Sequence, residues 1–193
     1  MPLLRRPRPR VLVVAAAAVL AAGVLSACGH KVSEPTTADT EAIYVRAGQL
    51  TYQVQLSRQL NPYSTEDREY LAGVSEAPPT PDQEWFAVFM WARNEQKHAL
   101  TSVGPAAFDI VDTQGNTYHP VAINASVNPY AWTSQTLMPL GTEPAPDSTA
   151  SSGPTQGLVL VFKLNDSVYA NRPLTLEIHA PGQPNPTTVS LDL

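Results

Sequence analysis

The chain has 193 residues, with 12 Lys+Arg against 17 Asp+Glu and a formal net charge of −5. That balance argues against a nucleic-acid partner, which would require clustered cations. A single cysteine excludes an internal disulfide framework.

Arg5, Arg6, Arg8 and Arg10 make the first ten residues basic, and no charged residue follows from Val11 to Ala27. A positive segment followed by an apolar one is the form of an export signal, with the positive end kept on the cytoplasmic side. Gly23 weakens the apolar helix ahead of Leu25-Ser26-Ala27-Cys28. These four residues resemble the lipobox of bacterial lipoprotein signals: an aliphatic residue, two small residues and a cysteine. The resemblance implies cleavage before Cys28, a diacylglyceryl group on its thiol and acylation of the new α-amino group. A permanent transmembrane helix is the rival reading. The apolar run has 17 residues, at the lower edge of the roughly 17–25 that span a bilayer. Much of it is alanine, which suits a signal better than a span. Pro7 and Pro9 depart from a twin-arginine motif, so the export route stays open. The expected location is the extracytoplasmic face of the cell membrane, since more than one acyl chain anchors stably where a single chain is marginal.

The chain is thus expected to divide into a signal peptide over 1–27, a lipidated N-terminus and flexible tether over 28–40, and one domain over 41–193. Residues 29–40 are polar and lack apolar periodicity, the mark of a disordered segment. Without the signal the chain carries 8 basic and 17 acidic residues, near −9.

Within the domain, Gln49 to Ser57 alternates apolar and polar residues, with Leu50, Tyr52, Val54 and Leu56 on one face. Period two marks a half-buried strand. Asn61 to Gln83 interrupts the strands with a short helix expected over Thr65–Ala72, Ser64 as its N-cap and Asp67 at N3. Glu84 to Arg93 is apolar on both faces, which predicts a central strand. Phe108–Val111 and Thr117-Tyr118 flank Gln114-Gly115-Asn116, a hairpin-type turn. A long loop runs over Val121–Pro154. Gly157–Leu164, Leu174–His179 and Thr188–Leu193 supply further strands. Short strands separated by turn signals argue for an all-β antiparallel sandwich with one short helix in a long loop.

The order of these segments also resembles a family. It includes an Asn-Pro-Tyr with an acidic helix at 61–72 and a Trp-Phe-Ala-Val-Phe strand ending in Arg93-Asn94. Phe108-Asp109-Ile110-Val111-Asp112-Thr113-Gln114-Gly115-Asn116-Thr117-Tyr118 and Gly157-Leu158-Val159-Leu160-Val161-Phe162-Lys163-Leu164 follow. Together they resemble actinobacterial lipoproteins with one immunoglobulin-like domain of unknown function. More loosely, they are similar to secreted Ig-like domains of Gram-positive bacteria. The resemblance covers 41–193 and implies an immunoglobulin-like β-sandwich; it implies no functional residue.

No nucleophile elbow, phosphate loop or His-Glu-x-x-His motif is present. His30, His98, His119 and His179, with Met90 and Met138, are the residue types a copper site would use, but no two stand at a short ligand spacing. Glu66, Asp67 and Glu69 form an acidic cluster around Arg68 that is read as a solvated helix face. Tyr63, Tyr70, Tyr130 and Trp132 lie on the two long loops, where aromatics make good contact anchors. The expectation is a non-catalytic, cofactor-free module held to the membrane through Cys28 that binds another envelope protein. Tyr63, Tyr70, Tyr130 and Trp132 would be the anchors, and Glu66, Asp67 and Glu69 a charged rim. A small-ligand or copper carrier is the alternative, and an envelope hydrolase stands third.

Overall fold

The computed structural model describes residues 34–191. The signal, the lipobox with Cys28, and residues 29–33 lie outside the described residues.

Two sheets face each other. The first contains β2 (Tyr44–Ala47), β3 (Leu50–Leu60), β4 (Gln83–Arg93) and β10 (Leu158–Asn165), all antiparallel in the order β10-β4-β3-β2, with β9 (Thr142–Glu143) paired to the end of β4. The second runs β1 (Thr37–Ala38), β12 (Thr187–Leu191), β11 (Leu174–Ile178), β6 (Phe108–Val111) and β7 (Thr117–Tyr118). A two-stranded ribbon, β5 (Leu100–Thr101) with β8 (Thr136–Leu137), completes the set. The chain is therefore the antiparallel sandwich that its alternating segments predict. The 114–116 turn joins β6 to β7, as its residues indicate.

The alternation of side chains explains the core. Tyr52, Val54, Val88 and Met90 from one sheet meet Phe108, Ile110, Leu176 and Val189 from the other, all fully buried or nearly so. Tyr52 and Phe108 pack edge to face with ring centroids 6.3 Å apart.

β4 lies between β3 and β10 over Trp85–Met90 and between β3 and β9 at Ala92 and Arg93. Its inward residues fill the sandwich. Its outward residues Ala87 and Phe89 are equally shielded. The cover is α1 (Thr65–Tyr70) together with the 121–157 segment. Tyr70 lies edge-on to Phe89 at 4.9 Å and to Tyr130 at 4.9 Å. Ser64 caps α1, its hydroxyl accepting from Asp67 N–H at 3.5 Å. The helix stops at Tyr70, two residues short of the expected Ala72. Gly73 then turns the chain at φ +75, and a Cβ there would meet Val127 at 2.7 Å, so the close approach of the two loops requires glycine.

One boundary is corrected. Residues 34–40 belong to the body and not to a tether. Thr37 and Ala38 pair in parallel with Thr188 and Val189. Arg46 N–H donates to the Pro35 carbonyl at 2.8 Å. The edge of β12 offers unpaired backbone groups, and these polar residues satisfy them without needing apolar periodicity.

The outer layer leads to a direct expectation. Phe89→Ala leaves a cavity beneath Tyr70 and should cost about 3–5 kcal/mol in denaturant-induced unfolding. A loss near zero would mean that α1 and the 121–157 segment do not seal that face.

Candidate functional site

The two long loops meet. Asn128 Nδ2 donates to the carbonyls of Tyr70 at 2.8 Å and Ala72 at 2.9 Å. Asn124 N–H donates to Gly73 O at 2.9 Å and Ser75 N–H to Ala122 O at 3.1 Å. Each loop carries an Asn-Pro-Tyr, at 61–63 and 128–130, and both do the same local work. Asn61 Oδ1 accepts from Tyr63 N–H at 3.0 Å, and Asn128 Oδ1 accepts from Tyr130 N–H at 2.9 Å. Both are Asx turns, in which the side chain mimics the backbone of a turn.

Most of the expected anchors are inside this assembly. Trp132 is only 2% exposed; it packs on Tyr52 and Phe108, and its indole N–H donates to Val103 O at 2.9 Å. Tyr70 is buried against Phe89. Tyr130 is buried with its hydroxyl donating to Glu69 at 3.2 Å. These three are not surface anchors, because the outer face of β4 and the flank of the sandwich need large apolar side chains to exclude water. Only Tyr63 is displayed, at 91% exposure.

The acidic cluster is corrected in part as well. Asp67 is buried and accepts from Arg58 Nη2 at 2.6 Å and from Asn61 N–H at 2.8 Å. Burial pushes its carboxyl up, but the bonds from Arg58 and Asn61 and the Arg58 charge outweigh this and hold it below the ordinary range. Glu66 meets the same guanidinium at 3.3 Å. Arg58 also lies 5.8 Å from the Phe89 ring centroid. Asp67 and Glu66 thus clamp α1 to β3 and do not form a free steering rim. Glu69 is tied to Tyr130.

Between the arms of the 121–154 loop lies an open cavity of about 410 Å³. Its lining mixes the polar Asn128, Thr133, Gln135 and Ser148 with Pro129, Leu137 and Leu158. Glu143 also borders it, and sequence reasoning missed this residue. Register places Glu143 beside Ala92, Ala92 beside Tyr52, and Tyr52 beside Val45. Directly paired residues share a face, so Glu143 turns into the sandwich, where it is 2% exposed and neither carboxylate oxygen has a hydrogen-bond partner. Burial pushes its carboxyl up to about 7, while the Ser102 hydroxyl pulls the other way. That hydroxyl is directed to the Gln135 carbonyl at a long 3.4 Å, and so leaves the carboxylate unsatisfied. The only sequence signal was an acid in a segment otherwise read as solvated loop.

The sheet also gathers residues far apart in sequence. His119 Nδ1 lies 2.6 Å and His179 Nε2 3.1 Å from the Asp109 carboxylate, with Glu177 3.5 Å from His179. These contacts are ion-pair geometry. Among the described residues no group of three or more His, Cys, Asp or Glu could hold a metal. Met90 is in the core and Met138 at the surface, so the two thioethers do not share a site.

No family model matches the chain, and no curated protein matches it in sequence. Solved structures similar to it include the yjhA protein from Bacillus subtilis, at 11% identity and TM-score 0.47 over 80% of this chain and 99% of that one. An uncharacterized β-sandwich protein from Clostridium difficile 630 has 12% identity and TM-score 0.41 over 85% and 99%. The lipoprotein candidate ycdA from Bacillus subtilis subsp. subtilis str. 168 has 11% identity and TM-score 0.44 over 77% and 38%. At these values none assigns a function to this chain.

Glu143 gives the site a pH signature. Its folded pKa, about 7, lies above the ordinary 4.5, so between those values the unfolded chain releases a proton that the folded chain keeps. Stability should therefore fall as pH rises from about 4.5 to about 7 and then level off. The full shift corresponds to at most about 3 kcal/mol. Denaturant unfolding of Glu143→Gln against wild type at about pH 5 and about pH 8 checks this. The variant should lack the alkaline loss; equal loss in both would show that Glu143 is not its source.

Proposed function

We propose that the chain is an exported lipoprotein, cut before Cys28 and lipid-anchored outside the cytoplasmic membrane, that acts by binding another envelope protein and not by catalysis. Its affinity with Ig-like lipoproteins of actinobacteria belongs to the same reading. The observation that carries the binding role is the locking of the two long loops by Asn128, Asn124 and Ser75 into one fixed surface around the 410 Å³ cavity. A surface ordered before binding loses little conformational entropy on contact. A partner would seat a side chain or short segment in the cavity, with Thr133, Gln135 and Ser148 meeting its polar groups. Tyr63 stays available as an outlying contact.

The second reading, carriage of a small ligand, draws on the volume and mixed lining of the same cavity. Native mass spectrometry of the purified chain separates the two, since a carrier should retain a bound small molecule.

Two measurements test the main reading. Cys28→Ala should abolish acylation and leave the precursor uncleaved; an unmodified mature N-terminus in the medium would overturn the anchor. Ala125→Trp, at an exposed position on the cavity wall, should fill the cavity without touching the core. Capture of envelope partners from cross-linked membranes should drop while the melting temperature stays close to wild type. Unchanged capture would remove the cavity from the contact surface.

A further inference from the structure

β4 ends at Arg93, which is paired with Thr51 on one side and Thr142 on the other. Beyond this last pair, Gly141 N–H closes a tight turn onto Met138 O at 2.8 Å. Asn94 fixes that turn in place. Its N–H donates to Gly141 O and its carbonyl accepts from Leu140 N–H, both at 2.9 Å, and its side chain donates to Leu137 O at 2.8 Å. What the turn displays is apolar: Met138 is 65% and Leu140 79% exposed, with Pro139 exposed between them. Leu140 adopts φ +63, a left-handed backbone that favours glycine or asparagine. An apolar side chain held rigidly in water on strained backbone has no role in core packing.

The chain enters the body at this same end. Arg46 N–H donates to Pro35 O at 2.8 Å, and the Arg46 guanidinium to Glu34 O at 3.2 Å. Arg46 pairs with Thr51, which pairs with Arg93. Neighbouring strands lie about 4.8 Å apart, so Glu34 and the 138–141 turn are separated by about 15–20 Å across one rim of the sandwich. Cys28 stands six residues before Glu34, at most about 20 Å of extended chain. The opposite end, where Tyr63 follows β3, is about 35 Å away along its 11 residues. The rim is also less acidic than the rest. Arg46, Arg93 and Lys97 stand there with Glu34, Glu95 and the buried Glu143, whereas residues 34–191 as a whole carry 7 basic and 16 acidic residues. Cations near a bilayer surface favour its anionic lipids.

We propose that this rim faces the lipid bilayer that carries the Cys28 anchor, with Met138 and Leu140 dipping into its interfacial layer. The inference rests on the lipoprotein reading of Cys28. The short leash brings the rim to the membrane, the apolar turn fixes the tilt, and Tyr63 and α1, beyond the far end of β3, are held away from the lipid. Two contacts, one covalent lipid and one apolar turn, set the orientation where a lone anchor would leave the body free to rotate.

The test uses the full lipoprotein, reconstituted in vesicles of phosphatidylglycerol and brominated phosphatidylcholine. Leu140→Trp is compared with Tyr63→Trp, and Met138→Trp replaces the first if it does not fold. Mass spectrometry of the N-terminal peptide reports acylation of Cys28 in the same samples. Leu140→Trp should lose most of its added emission to the bromines and shift to the blue, while Tyr63→Trp keeps its emission. With Cys28 acylated, quenching that is equal at both positions, confined to Tyr63→Trp, or absent overturns the orientation alone. An unacylated Cys28 overturns the anchor reading and this proposal with it.

Discussion

Phe89 points away from the space between the two sheets, yet it is fully shielded from water. A two-layer sandwich cannot do this by itself, because the outer face of a sheet is ordinarily left to solvent and carries polar residues. Here the outer face of β4 is apolar, and leaving it open would expose Ala87 and Phe89 beside partly covered Leu56. The α1 segment and the 121–157 segment become a third layer over it. Tyr70 and Tyr130 are the closing side chains, and Asn128 ties the two segments through the Tyr70 and Ala72 carbonyls. The shape of the loop face and the burial of Tyr70 and Tyr130 follow from that need.

The same constraint explains which features were legible in the sequence. Period two marked β3 and correctly turned Leu50, Tyr52 and Val54 inward, but a bulge between Val54 and Leu56 puts Leu56 on the other face, 38% exposed. The loss of alternation over Glu84–Arg93 correctly indicated a central strand, and Ser64 with Asp67 marked the start of α1. It was not legible what would cover the second face of β4. Tyr70, Tyr130 and Trp132 sit in polar, proline-rich surroundings where an aromatic serves equally as a surface anchor or as a plug. Only the tertiary packing decides, and it buries all three.

Short pairings were also hidden. Thr37-Ala38 is a two-residue strand whose partner lies 151 residues away. Thr142-Glu143 is another, and its pairing with Ala92 and Arg93 turns an acid inward. No periodicity exists over two residues, so such strands take their identity from the edge they complete. The consequences are large for their size. The first leaves five residues between Cys28 and the body, and the second leaves an unsatisfied carboxylate in the sandwich.

The central claim is that the loop segments form a fixed third layer and are not mobile connections. Native-state hydrogen exchange tests it most directly, at the amides of Ser75, Asn124 and Trp132, which donate to Ala122, Gly73 and Val159. The account predicts that these amides exchange nearly as slowly as those of Val88 and Met90 in β4, opening only when the sandwich itself opens. Exchange at the rate of an unstructured peptide, while β4 stays protected, would contradict it.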